Sequence, residues 1–313
     1  MRVSPPVIAV SRRIAAVLLL TLAQAAAAQP PNGGAAWAAV QRALGGRGTM
    51  QPGDVLRFGF PRSDLHVTAN GVVLQPTLAL GSWVAFKRAA ATPRAEAMVM
   101  GDLVLAEDEV GPVMLALQKG GVEQTALHNH VLMESPRVMY MHIAAHGDAA
   151  KLAATIRTAL GASKTPFPPP PAAGAPTPTA TPAIDIDIAE IARALGVAGK
   201  VSGGVYQVAV PRAERIMDHG MEIPPSMGVA TALNFQPTGG GRAAITGDFV
   251  MTGAEVNRVI RALGDHGIQV TALHSHMLTE TPRLFFMHFW ANDDAVTLAR
   301  GLRAALDQMA VAR

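Results

Sequence analysis

Apolar positions recur with a helical period in two places along this chain. Val110, Val113, Met114 and Leu117 share one face of a helix that Gly120-Gly121 would end. Val256, Val259, Ile260 and Leu263 repeat that face 146 residues later, behind a Thr252-Gly253-Ala254-Glu255 capping-box pattern. Ile186 to Leu195 predicts a further short helix. Val205 to Val210, Val229 to Phe235 and Ala243 to Met251 predict strands. Asp148 or Asn292 can cap a last helix, carrying Leu152, Ile156 and Leu160 in the first half and Leu298, Leu302 and Leu306 in the second. These elements predict an α+β fold of two tandem repeats, each an antiparallel sheet with helices packed on one face.

Ordered matches between the halves support duplication. GDLVL at 101 matches GDFVM at 247, TALH at 125 matches TALH at 271, and Arg42-Ala43-Leu44-Gly45 matches Arg193-Ala194-Leu195-Gly196. Residues 164–183, KTPFPPPPAAGAPTPTATPA, read as a proline-rich linker. The expected organisation is a signal peptide at 1–28, a first repeat at 29–163, the linker, and a second repeat at 184–313. Each unit would leave one sheet face for the other to cover, so a pseudo-two-fold pair packed face to face is expected, as when a homodimer fuses.

The first 28 residues change the charge picture. Arg2, Arg12 and Arg13 precede the apolar run Ile14 to Leu22 and the small-residue site Ala26-Ala27-Ala28. This is a secretory pattern, too short to span a bilayer, with a faint twin-arginine character. Three of the 26 basic residues lie there with no acids, which leaves 23 basic against 23 acidic residues in the mature chain. A balanced chain advertises no nucleic-acid partner, and no transmembrane segment is expected in it. Export to the periplasm or beyond is expected, and the absence of cysteine excludes both disulfides and a lipidated cysteine.

The candidate chemistry lies in one block written twice. TALHNHVLMESPRVMYMH at 125–142 and TALHSHMLTETPRLFFMH at 271–288 agree at eleven of eighteen positions. The block reads as a hairpin around Glu-Ser-Pro-Arg or Glu-Thr-Pro-Arg. Strand alternation puts His128, His130 and Glu134 on one face, and His274, His276 and Glu280 likewise. His142 and His288 fall on the return strand. Pairing Glu134 with Val138, or Met133 with Arg137, brings His142 to the face of His128, whereas pairing Ser135 with Val138 turns it away. Three histidines and an acid form a candidate site for a divalent transition metal such as zinc. A metal-free ligand pocket and a purely structural hydrogen-bond network are the competing readings.

Arg137 and Arg283 can bind an anion or pair with the nearby glutamates, and the pairing is the expectation. Met133 and Met139 are not kept in the second block, so core packing is expected for the methionines, including the recurring Met141 and Met287. Asp102 and Asp248 follow glycines at strand starts, where capping a turn is the first expectation and lining a pocket the second. His66, His146, His219 and His266 lack repeated partners and suggest surface or loop roles. No nucleophile elbow, phosphate loop or dinucleotide fingerprint is present. His-x-His-x-x-x-Glu is similar to the first metal motif of cupins over seven residues only.

GDLVLAEDEVGPVMLAL, TALHNHVLMESPRVMYMHIAAHGD and the helix after them resemble the LppY/LpqO family, exported bacterial proteins built from a domain of unknown function. The resemblance covers both repeats and implies the architecture and export. For function, the residues point first to an exported protein that binds a metal or small ligand. A metal-dependent enzyme and a structural envelope protein are the alternatives, and oligomers are compatible with all three.

Overall fold

The computed structural model describes residues 1, 34–89, 96–167 and 184–312. The segment expected to be a signal peptide and most of the expected proline-rich linker lie outside the described residues. The first repeat runs α1 (Gly34–Leu44), β1 (Thr49–Gln51), β2 (Val55–Pro61), β3 (Thr68–Ala69), β4 (Val72–Val73), β5 (Gly81–Arg88), β6 (Glu96–Ala106), α2 (Glu107–Lys119), β7 (Glu123–His128), β8 (Glu134–Ser135), β9 (Val138–Asp148) and α3 (Ala149–Leu160). The second runs α4 (Ile188–Leu195), β10 (Lys200–Ser202), β11 (Val205–Pro211), β12 (Ile216–Asp218), β13 (Met221–Ile223), a 3-10 turn, β14 (Ala230–Gly239), β15 (Arg242–Thr252), α5 (Gly253–Asp265), β16 (Gln269–His274), β17 (Leu284–Asp294) and α6 (Ala295–Leu306).

Each repeat builds a six-stranded antiparallel sheet, ordered β1-β2-β5-β6-β9-β7 and β10-β11-β14-β15-β17-β16. This is the α+β arrangement expected from the patterning, with two similar halves. Strand alternation sorts the faces. In the first sheet Phe58, Phe86, Val99, Leu103 and Met141 face the helices and pack with Trp37, Val113, Leu117 and Ile156. Glu109 accepts from Ala106 N at 2.9 Å at the start of α2, where alanine has no side chain to return the bond, and Glu255 completes the capping box at the start of α5. Each also accepts a buried arginine, Arg62 at 2.7 Å and Arg212 at 2.8 Å, so the helix start is locked to the loop after β2 or β11. Asp148 caps α3 as expected, but its counterpart is Asp294, because Asn292 still lies inside β17.

The opposite faces of the two sheets meet. Val55, Ala85, Met98 and Met100 of the first pack with Ile216, Met227, Val250 and Phe286 of the second. A second seam cluster joins Leu80, Val104 and Tyr140 to Val205, Ala244 and Trp290. Reciprocal bonds express the pseudo-two-fold: Thr125 Oγ1 donates to His276 O at 2.7 Å and Thr271 Oγ1 to His130 O at 2.6 Å. The result is four layers, helices outside and two sheets face to face, and the seam carries the polar residues discussed next. Among the described residues no helix is long and apolar enough to cross a membrane.

Candidate metal centre

The repeated block is not a tight hairpin. β7 pairs with β9 through His128↔Tyr140 and Ala126↔His142, with a bulge after Gln124. The nine residues between these strands form a wide connection, and its Glu134-Ser135 pairs with β3. None of the three registers weighed from sequence is the observed one. Its parity nonetheless matches the two that put His142 on the face of His128, and β16 and β17 repeat it through Ala272↔His288. His130 and His276 lie beyond the ends of β7 and β16, so the connection delivers them, rather than strand alternation.

Both blocks face the seam, so one cluster forms rather than two. The rings of the equivalent residues His128 and His274 stack with centroids 3.7 Å apart. His128 Nε2 lies 3.1 Å from His288 Nε2. Two imidazole nitrogens on one tetrahedral zinc stand roughly 3.3 Å apart, given bonds of about 2.0–2.1 Å. Three sets of potential ligand atoms gather within 4.8 Å in this seam: His128, His142 and His274; His128, His130 and His288; and Asp248, His274 and His276.

Backbone carbonyls orient several of these rings. His142 Nδ1 contacts Gly101 O at 3.3 Å, His288 Nδ1 contacts Gly247 O at 2.6 Å, and His276 Nδ1 contacts Gly228 O at 3.2 Å. A carbonyl only accepts, so each Nδ1 carries the proton and each Nε2 presents a lone pair. The Nε2 atoms of His142 and His276, both ring nitrogens of His274 and His128 Nδ1 are buried without a hydrogen-bond partner. His276 Nε2 stands 3.0 Å from Asp248 Oδ2, and His130 Nε2 stands 3.5 Å from Asp102 Oδ2. A lone pair facing a carboxylate oxygen at 3.0 Å sets two acceptors against each other, a contact that a bound cation or a proton on Nε2 relieves. Buried polar atoms left unpaired are costly, and a divalent ion satisfies this donor set.

Asp102 and Asp248 are therefore not turn caps. They sit inside β6 and β15, pair in register with His142 and His288, and line the seam. Turn capping, the first expectation from sequence, is corrected. Nothing local distinguished them, because a Gly-Asp pair reads as a turn until the strand is seen to run through it. The glycines have a packing reason: a Cβ at Gly101 would lie 2.8 Å from Trp83 O, and one at Gly247 1.9 Å from Ala232 O.

The remaining candidates go elsewhere. Glu134 accepts from Val138 N at 3.2 Å and Glu280 from Leu284 N at 2.8 Å, so both brace the connection after the cis-proline bonds at Pro136 and Pro282. Arg283 bonds Glu280 at 3.2 Å, the pairing expected from sequence. Arg137 is exposed and lies 3.8 Å from Glu107 instead. Neither arginine lines the seam cavity. His146 and His219 gather around Asp218 at the edge of the seam, a grouping that only the fold reveals.

The family described as Domain of Unknown Function (DUF1259) matches residues 38–162 and 189–308. The chain belongs to this family. Its two matched regions coincide with the two halves of the fold, so the cluster joins two copies of one family domain. No curated protein matches the chain. Among solved structures, a trimeric bacterial microcompartment shell protein, PduB, is similar at 14% identity over 84% of this chain and 91% of that one. With a TM-score of 0.20, that likeness carries no argument about fold or assembly.

Electrostatics fit a centre of neutral imidazoles. Burial drives His128, His130 and His142 well below the usual histidine range, and their histidine neighbours add to it. Burial, then His276, takes His274 to about 2. The two acids split. Burial, then Asp248, raises Asp102 to about 8, whereas His288 and His276 outweigh burial and hold Asp248 at about 2.

Proposed function

We propose that this chain binds a divalent transition metal, zinc-like in its preference for imidazole and carboxylate, at the seam between its repeats. The observation that carries the reading is the convergence of six histidines, four buried and two half-buried, five of which keep ring nitrogens without a hydrogen-bond partner beside two aspartates. A structural network would pair those nitrogens, and this one leaves them open. His128, His130, His142, His274, His276 and His288, with Asp102 and Asp248, are the proposed ligand set. We further propose that the protein is exported and that its relatives are the LppY/LpqO proteins, on the secretory pattern of residues 1–28 and the sequence blocks quoted above.

A second reading, metal-dependent catalysis, is favoured by a specific feature. A cavity of about 630 Å³ between the sheets reaches His130, His142, His276, His288 and both aspartates, giving a small molecule access to the centre. The test is elemental analysis of full-length protein purified without chelator or histidine tag, beside a His128→Ala/His130→Ala/His274→Ala/His276→Ala variant checked for folding by circular dichroism. The wild type is expected to carry at least stoichiometric metal and the folded variant to lose it. Wild-type metal that is sub-stoichiometric and unchanged in the variant ends the reading.

A further inference from the structure

The two repeats differ where the seam cavity needs them to be alike. β2 and β11 align as VLRFGFP and VYQVAVP, so Arg57 matches Gln207. The Ser82 and Thr231 hydroxyls each accept from the neighbouring strand, Val104 N and Val250 N, which matches Trp83 to Ala232. All four residues line the cavity. The first repeat supplies a cation and an indole, and the second supplies a neutral amide and a methyl group.

Arg57 is built for an anion. Its guanidinium carbon sits over Trp83, 3.9 Å from the ring centroid, and Nη1 donates to Ser226 O across the seam at 3.0 Å. The indole and the carbonyl hold the guanidinium in place, and it has no other hydrogen-bond partner among the described residues. The free edge of the fork is thus preorganised for a bidentate carboxylate. Gln207, in contrast, is engaged with Thr77 O at 3.0 Å. Charge agrees with the geometry. A divalent ion, Arg57 and Lys200 bring four positive charges to the cavity against two from Asp102 and Asp248. The lining carries an excess of positive charge. Away from the acids the walls are mostly apolar, from Pro61, Pro76, Leu78 and Ala79 in one repeat and Val208 and Ala209 in the other.

We propose that the seam cavity is an asymmetric binding site for a small organic carboxylate, with its carboxylate on Arg57 beside the metal and its apolar body against the proline- and leucine-lined wall. The inference rests on the metal reading for its charge balance and on Arg57, Trp83 and the cavity for its geometry.

The test is calorimetric titration of metal-reconstituted full-length protein with sodium benzoate, sodium phosphate and benzyl alcohol, repeated on Arg57→Gln and Arg57→Lys. Arg57→Gln installs the residue that the second repeat already carries at the matching position, so it is expected to fold. Wild type should bind benzoate saturably and more tightly than phosphate, and should not bind benzyl alcohol. Arg57→Gln should weaken benzoate at least about tenfold, and Arg57→Lys should fall between the two. Metal content, measured on every sample, should be unchanged. Absence of saturable benzoate binding, equal binding by Arg57→Gln, or phosphate binding as tight as benzoate overturns the proposal. If metal is present while the anion arm fails, this inference alone falls. If wild type holds no metal, the metal reading falls on the elemental analysis, whatever the titration shows.

Discussion

Gly101 and Gly247 show what one residue contributes here. Each lets a central strand approach its neighbour and aims its carbonyl at a histidine Nδ1. Gly247→Ala is expected to destabilise the protein by about 1–3 kcal/mol through forced strand displacement, and Gly101→Ala by less, read as urea midpoints. The histidines give a pH signature to the metal-free protein. Burial lowers the folded-state values of His128, His130, His142 and His274 below the unfolded value near 6.5. The unfolded chain therefore binds more protons in acid, so their stability contribution is full above about pH 6.5 and is lost as pH falls toward the folded values. Asp102 and Glu134, raised by burial, act in the opposite direction, so chelator-treated protein should show a urea midpoint that drops between pH 6.5 and pH 5, where the four histidines outnumber them, and a flat profile there would contradict buried neutral imidazoles. At this scale the sequence was legible where residues recur: all six histidines meet. It was silent on Arg57, because that residue is not repeated and its inward direction depends on which face of β2 the helices cover.

At the scale of elements, the capping box at α5 and the apolar faces of both long helices were readable from local pattern. The repeated block was not. It reads as a hairpin because two β-rich runs flank a proline, but the segment between them docks on β3 in the first repeat, and in the second Thr281 bridges to Met217. Those are non-local partners that no spacing encodes. The same holds for Arg62 and Arg212, which close their loops onto buried glutamates far along the chain. Arg62→Met leaves Glu109 buried without its cation, and a loss of about 3–5 kcal/mol is expected, measurable as a lower unfolding midpoint with the metal content retained. Thr125→Val removes one of the two reciprocal bonds across the seam and should cost about 1 kcal/mol by the same measurement.

For the whole molecule, the decisive fact is that the sheets cover each other. Their apolar seam residues, not the linker, hold the repeats together. A protease site placed in the linker and cleaved should therefore leave both halves co-eluting on size exclusion, and removal of metal should lower the thermal midpoint of the nicked protein as well as the intact one. Separation into two monomeric halves would contradict the fused-dimer architecture. By itself the sequence determined the duplication and the α+β composition of each unit, while leaving the face of His142 open among three registers. Duplication and composition follow from local periodicity and from identity at fixed offsets. Only the tertiary structure decided that the two sites are one, that Asp102 and Asp248 belong to it, and that Arg57 and Trp83 make its cavity unequal. A β-strand has two faces, and a chain states which residues share a face without stating what that face will meet.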